Sequence, residues 1–197
     1  RQSFFLKKGG APLGYHDFRR AFAGRINSWT ANYLNRLEEL QGLLHDLSKY
    51  SPAEFLVGCK YYQGTRSPNN AEREDIGVST SWLHHKGRNK HHFEHWVDYS
   101  LDGEHVIMGA PMPRKYVAEM VMDRISASRN YLGDAYTESQ PLEYYLKSKD
   151  SLWFIHPRTK KELEGLLRIL NDHGEKKLLH YIKYVYLKQE PKSRIKY

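Results

Sequence analysis

The chain has 197 residues, of which 40% are hydrophobic and 27% charged, with a formal net charge of +8 and a pI near 9.4. That balance fits a globular domain with one core and excludes a disordered chain, and no apolar run approaches the roughly 18–20 residues of a membrane span. A single cysteine, Cys59, excludes an intrachain disulfide and a thiolate-rich zinc site, so any metal here is held by imidazole and carboxylate. The opening stretch RQSFFLKKGGAPLG has no apolar segment followed by a small-residue cleavage site, so no secretory signal is expected, and a reducing, cytoplasmic setting is. The excess positive charge suits anionic partners in general, phosphate-bearing molecules among them. Much of it falls late, at Lys176, Lys177, Lys183, Lys188, Lys192, Arg194 and Lys196, where a solvated helix face and tail explain it. No RNP-like or finger pattern accompanies the charge, which leaves dedicated nucleic-acid binding as the weaker reading.

In chain order, residues 1–14 read as an irregular lead-in carrying Gly9, Gly10, Pro12 and Gly14. A helix is expected from about Tyr15 to Ile26, and a second from Thr30 through Leu34, Leu37, Leu40 and Leu44 to Asp46. Ser51-Pro52-Ala53-Glu54 has the form of a capping box with proline at the first helical position, and opens a helix holding Phe55, Leu56, Cys59 and Tyr62. Gly64 to Asn70 reads as a loop. One long helix is expected over about Ile76 to Tyr99, kinked near Gly87, and residues 100–113 as a loop with a short hairpin at His105–Met108. Pro113 opens a strong helix through Val117, Met120, Val121, Ile125 and Tyr131. Pro141 starts a short helix near Tyr144–Leu146. Pro157 to Leu170 and Glu175 to Leu187 read as two final amphipathic helices parted by Gly174. The sum is an all-α fold: one helical domain over 1–197 with about seven helices and a basic tail over 188–197.

Of the eleven histidines, five crowd into WLHHKGRNKHHFEHW. On a continuous helix His84, Arg88, His91 and His95 share one stripe, and His85, Asn89, His92 and Trp96 share its neighbour. Imidazoles so placed flank one polar pocket and converge on a metal. Any one of them is equally well explained by solvent or by an acidic neighbour such as Glu94, but solubility does not explain five together. His45-Asp46 ends an apolar-periodic helix, with Lys49 just beyond as a phosphate-facing cation; alone, such a pair is more often a cap or surface ion pair. Asp123 falls among Met120, Val121, Met122 and Ile125, where a carboxylate needs a partner, either Arg124 or Arg129 or a metal. Trp82 and Trp96 are expected to pack the walls around the histidines. Cys59 reads as a small packing residue, since nothing local depresses its pKa.

The order His16, His45-Asp46, His84/His85, His91-His92 and Asp123, on helices, resembles the HD-domain metal-dependent phosphohydrolases. More narrowly, HDLSKYSPAEF, WLHHKGRNKHHFEHW and MPRKYVAEMVMDRISAS resemble an uncharacterised bacterial family carrying a domain of unknown function, over most of residues 15–185. The superfamily resemblance implies an HD-domain-like fold, with His45, Asp46 and Asp123 as first-metal ligands and His16 as a fourth. It implies a second metal on some of His84, His85, His91 and His92, without choosing among them, and places His95 and Asn89 behind the ligands. The activity so implied is phosphoester hydrolysis. One or two divalent ions (Mn, Fe, Zn or Mg) would acidify a water, Asp46 would bridge, and Lys49 and Arg88 would hold the oxygens of an anionic, phosphate-bearing substrate. Two rivals follow from the same residues. A di-iron oxygenase on this scaffold would be coloured and oxygen-dependent, and a non-catalytic module for an acidic partner or nucleic acid would be indifferent to chelator.

Overall fold

A computed structural model describes residues 47–64 and 66–189; the two helices expected before residue 47, the basic tail over 190–197, and His16, His45 and Asp46 lie outside them. Seven α-helices make up the described part: α1 (Pro52–Tyr61), α2 (Pro68–Ile76), α3 (Thr80–Arg88), α4 (Arg114–Leu132), α5 (Gln140–Ser148), α6 (Pro157–His173) and α7 (Glu175–Tyr181). Two three-residue strands, β1 (Val97–Tyr99) and β2 (Ile107–Gly109), pair antiparallel, Val97 opposite Gly109 and Tyr99 opposite Ile107. The fold is all-α with this one small ribbon. None of these helices is long and apolar enough to cross a membrane.

The helix starts follow their capping chemistry. Prolines stand in the first turn of α1, α2, α5 and α6, where the missing N–H has no helical partner to lose. Ser67, Ser79 and His156 cap α2, α3 and α6 with side chains that accept backbone N–H bonds. The core gathers on α4, where Val117, Val121, Met122 and Ile125 meet Leu163, Leu166, Leu167 and Leu170 of α6, Leu178 of α7 and the buried ring of Tyr145 on α5. A second layer, α1 on α2 and α3, is joined by the 3-10 turn Leu47–Tyr50.

Three local expectations give way. The loop expected over 64–70 becomes a helix from Pro68, because Ser67 caps it and Pro68 supplies a helical φ. The last amphipathic helix ends at Tyr181 and passes into a π turn (Ile182–Tyr186) and a 3-10 turn (Leu187–Gln189). The long helix expected over 76–99 is divided: α2 ends at Ile76 on a left-handed Gly77 (φ 82°), α3 ends at Arg88, and Val97–Tyr99 is a strand. Asn89 stops α3 because its extended backbone (φ −110°, ψ 108°) turns the chain away while its amide donates to the His85 carbonyl at 2.8 Å. His92 N–H then bonds to the Asn89 carbonyl, and the Trp96 indole N–H to the Lys90 carbonyl at 2.7 Å, pinning the turn. At the far end of the ribbon Gly109 lies against the backbone of Phe154 and His156, where a Cβ would collide.

Candidate metal centre

Because α3 stops at Arg88, the two histidine stripes do not continue through His91 and His95. The turn carries His91 and His92 back against His85 instead. One ring nitrogen from each of His85, His91 and His92 lies within 4.8 Å of one from each of the others. The ring centroids are 4.1 Å apart for His91–His92, 4.8 Å for His85–His92 and 6.1 Å for His85–His91. His85 and His91 are buried and His92 half-buried. Trp82 closes one side, its ring edge-on to His92 at 4.7 Å, and Trp96 is buried behind the turn.

Carboxylates back two of the three rings. Glu54 is in the third helical position after Ser51, where a capping box would send it back to the Ser51 N–H. It turns inward instead, is buried, and accepts from Nδ1 of His85 at 2.8 Å and Nδ1 of His84 at 2.6 Å. Burial pushes the Glu54 carboxyl up, but hydrogen bonds from His85, His84 and Ser48 outweigh it and leave it below the usual carboxylate range. Glu119, buried on α4, accepts from Nδ1 of His91 at 2.9 Å. Ser48 Oγ and the Asn89 amide each lie 3.0 Å from Nδ1 of His85, so Asn89 stands where a residue behind the ligand is expected.

The cluster opens on a pocket of about 660 Å3 whose walls include Lys49, Glu54, Trp82, His85, His92, Asp123 and Arg124. One face of α4 supplies Met120, Asp123, Arg124, Ala127, Ser128 and Tyr131 at the 3–4-residue spacing of a single helical stripe. Neither arginine weighed as a partner for Asp123 forms an ion pair with it. Arg129 pairs with Glu175, and Arg124 lies over the Phe93 and Tyr145 rings. A larger groove of about 910 Å3, between the ribbon and α6, holds Trp153 stacked on His105 at 5.1 Å. Among the described residues it contains no group of three converging ligand side chains.

Of the expected site residues, His85, His91 and His92 come together, and Lys49 and Asp123 line the adjoining pocket. His84 is drawn to Glu54 outside the trio. Arg88 is exposed, donates to the His84 carbonyl of its own helix at 3.2 Å, and does not line the pocket. His95 packs edge-on to Trp96 at 5.3 Å. Glu54 and Glu119 are the residues that sequence reading missed. Glu54 carried a signal, but that signal is identical to a cap's; Glu119 sits inside a strong apolar helix with no local mark.

The donor set fits a cation. A nitrogen ligand must present a lone pair, and a carboxylate holding Nδ1–H leaves Nε2 to do so.

Residues 26–169 match the family described as a family of unknown function (DUF5662). No curated protein and no solved structure matches the chain.

Proposed function

We propose that this chain, which belongs to that family of unknown function, is a metal-dependent hydrolase of phosphate esters, related to the HD-domain phosphohydrolases. The observation that carries the reading is the carboxylate-backed imidazole trio: His85 on Glu54 and His91 on Glu119, with His92 between them. His85, His91 and His92 would hold a divalent cation. Asp123, which lines the same pocket, would be the carboxylate ligand of a second one. A nitrogen-rich set favours Mn, Fe or Zn over Mg, which prefers oxygen. His45, Asp46 and His16 keep their expected place as further ligands on the strength of the sequence pattern alone. His84 stays an alternative to be reached only by leaving Glu54.

A bound divalent ion supplies an acidified water and a Lewis acid for a phosphoryl oxygen. The chain's own residues do the remainder. Glu54 and Glu119, each bonded to Nδ1, would hold His85 and His91 in the tautomer that leaves Nε2 to bind a cation. Lys49, in the pocket wall, offers a positive charge to a phosphate oxygen. Trp82 and Trp96 shield the imidazoles from bulk water, which strengthens each electrostatic contact inside.

The test is metal analysis of full chain purified without an affinity tag, followed by reconstitution and a broad phosphoester screen. The expected result is about one to two equivalents of a transition metal, a melting temperature lowered by EDTA, and turnover without oxygen. A chain that takes up no stoichiometric metal after reconstitution ends the proposal. Metal together with oxygen-dependent turnover would move it to the di-iron oxygenase.

A further inference from the structure

Resting on that reading and adding a residue to it, we infer that Arg124 grips the phosphate group of the substrate. The neighbouring arginines show what a structural arginine looks like in this fold. Arg114 is paired with Glu162 at 3.0 Å and Arg129 with Glu175. Arg124 has no such partner. Among the described residues it forms no ion pair, and its Nε is buried without a hydrogen-bond partner. It is held instead by ring faces, with its guanidinium carbon 5.5 Å from the centroid of Phe93 and 6.0 Å from that of Tyr145. Ring faces stabilise a cation without using its N–H donors.

Arg124 stands in the wall of the pocket that also holds His85, His92 and Asp123. With its Nε buried, the cation is partly withdrawn from water, with no carboxylate bonded to it, one residue along from a candidate metal ligand. An incoming oxyanion would meet both the metal's charge and a planar fork of N–H groups matched to two phosphate oxygens. Arg124 thereby takes the place expected for Arg88, which faces solvent. Lys49 is a point charge and supplies no such two-point grip.

The experiment titrates inorganic phosphate by calorimetry into the metal-loaded full chain, the metal-free chain, and R124M and R124K, with metal content measured in parallel. Removing one partner of a desolvated, hydrogen-bonded charge pair costs about 2 kcal/mol or more, so R124M is expected to lose roughly 30-fold or more in phosphate affinity while keeping its metal. R124K retains the charge without the fork and is expected to lose at least about fivefold; it decides the matter alone if R124M does not fold. Phosphate affinity unchanged in R124M or in R124K, or a metal-loaded wild type that binds no phosphate, overturns the role of Arg124 and leaves the metal reading standing. A wild type that binds phosphate through Arg124 yet holds no metal overturns the metal reading instead.

Discussion

Residues 47–92 and residues 112–186 bury opposite kinds of side chain. In the second region the buried groups are mostly hydrocarbon, Val117, Val121, Ile125, Leu163, Leu166, Leu167, Leu170, Leu178 and Ile182 among them, with Glu119, Ser126 and Thr159 the buried polar or charged side chains among the described residues. In the first they are Glu54, Glu72, Ser79, Ser81, His85, Asn89 and His91, with Ala71 the one buried hydrophobic side chain there among the described residues. The first region is therefore specified by hydrogen bonds whose worth depends on protonation and on any cation present. The second is specified by area removed from water, which is indifferent to both. A protein divided in this way keeps a stable frame under a layer that responds to its ligands.

The largest expected effect tests the frame. Leu167 of α6 is fully buried in the core, and Leu167→Ala should cost about 2–5 kcal/mol of unfolding free energy, measured by urea denaturation. The loss should be the same with and without divalent metal. A loss that vanished on adding metal would mean the two layers do not divide the work as described.

Next comes the hinge of the polar layer. Glu54→Gln keeps the shape but removes the charge that fixes both His84 and His85. Metal affinity should fall about 10–100-fold and stability by about 1–3 kcal/mol, read by competition with a chelator and by thermal melts. Metal affinity equal to wild type would reduce Glu54 to a structural ion-pair partner and take His85 out of the ligand set.

The same division explains what could be read in advance. The frame was legible because hydrophobic periodicity reports burial directly: the helix expected from Pro113 through Tyr131 is Arg114–Leu132, and those expected at Pro141 and Pro157 start where expected. In the polar layer periodicity reports nothing, since the buried residues there look like surface ones. Hence composition reads Gly64–Asn70 as a loop where a helix in fact starts at Pro68, and it reads the histidine segment as running on in one helix. The composition of that segment pointed to a cluster, but its geometry was reversed. On a continuous helix His85 and His91 would be about 120° apart around the axis, and it is the break at Asn89 that brings their rings together. Glu119 joins the site through a contact 28 positions distant in the chain, which no local pattern encodes.

Acidification should sharpen the contrast further. Burial raises the carboxyls of Glu54 and Glu72, but hydrogen bonds outweigh it: His85, His84 and Ser48 on Glu54, the Thr80 and Ser79 hydroxyls and the Thr80 and Ser81 amides on Glu72. Both carboxyls end below the usual range, so the folded chain binds these protons less readily than the unfolded one. The stability they contribute is complete above the ordinary carboxylate pKa and is lost as pH falls through the lowered value. Below about pH 4, hydrogen exchange in α1–α3 should accelerate while α4 and α6 stay protected. Simultaneous loss of protection in both regions would show one cooperative unit.

The smallest effect expected is at Arg88. Its side chain is exposed and reaches back only to a carbonyl of its own helix. Arg88→Ala should therefore leave metal content and phosphate affinity unchanged, with stability within about 0.5 kcal/mol of wild type. The result matters because the continuous-helix geometry placed Arg88 on the same stripe as His84, His91 and His95, facing the substrate. If Arg88→Ala weakened phosphate binding as strongly as R124M, the chain in solution would have its helix running on past Asn89. The imidazole trio, which exists only because that helix stops, would then not form.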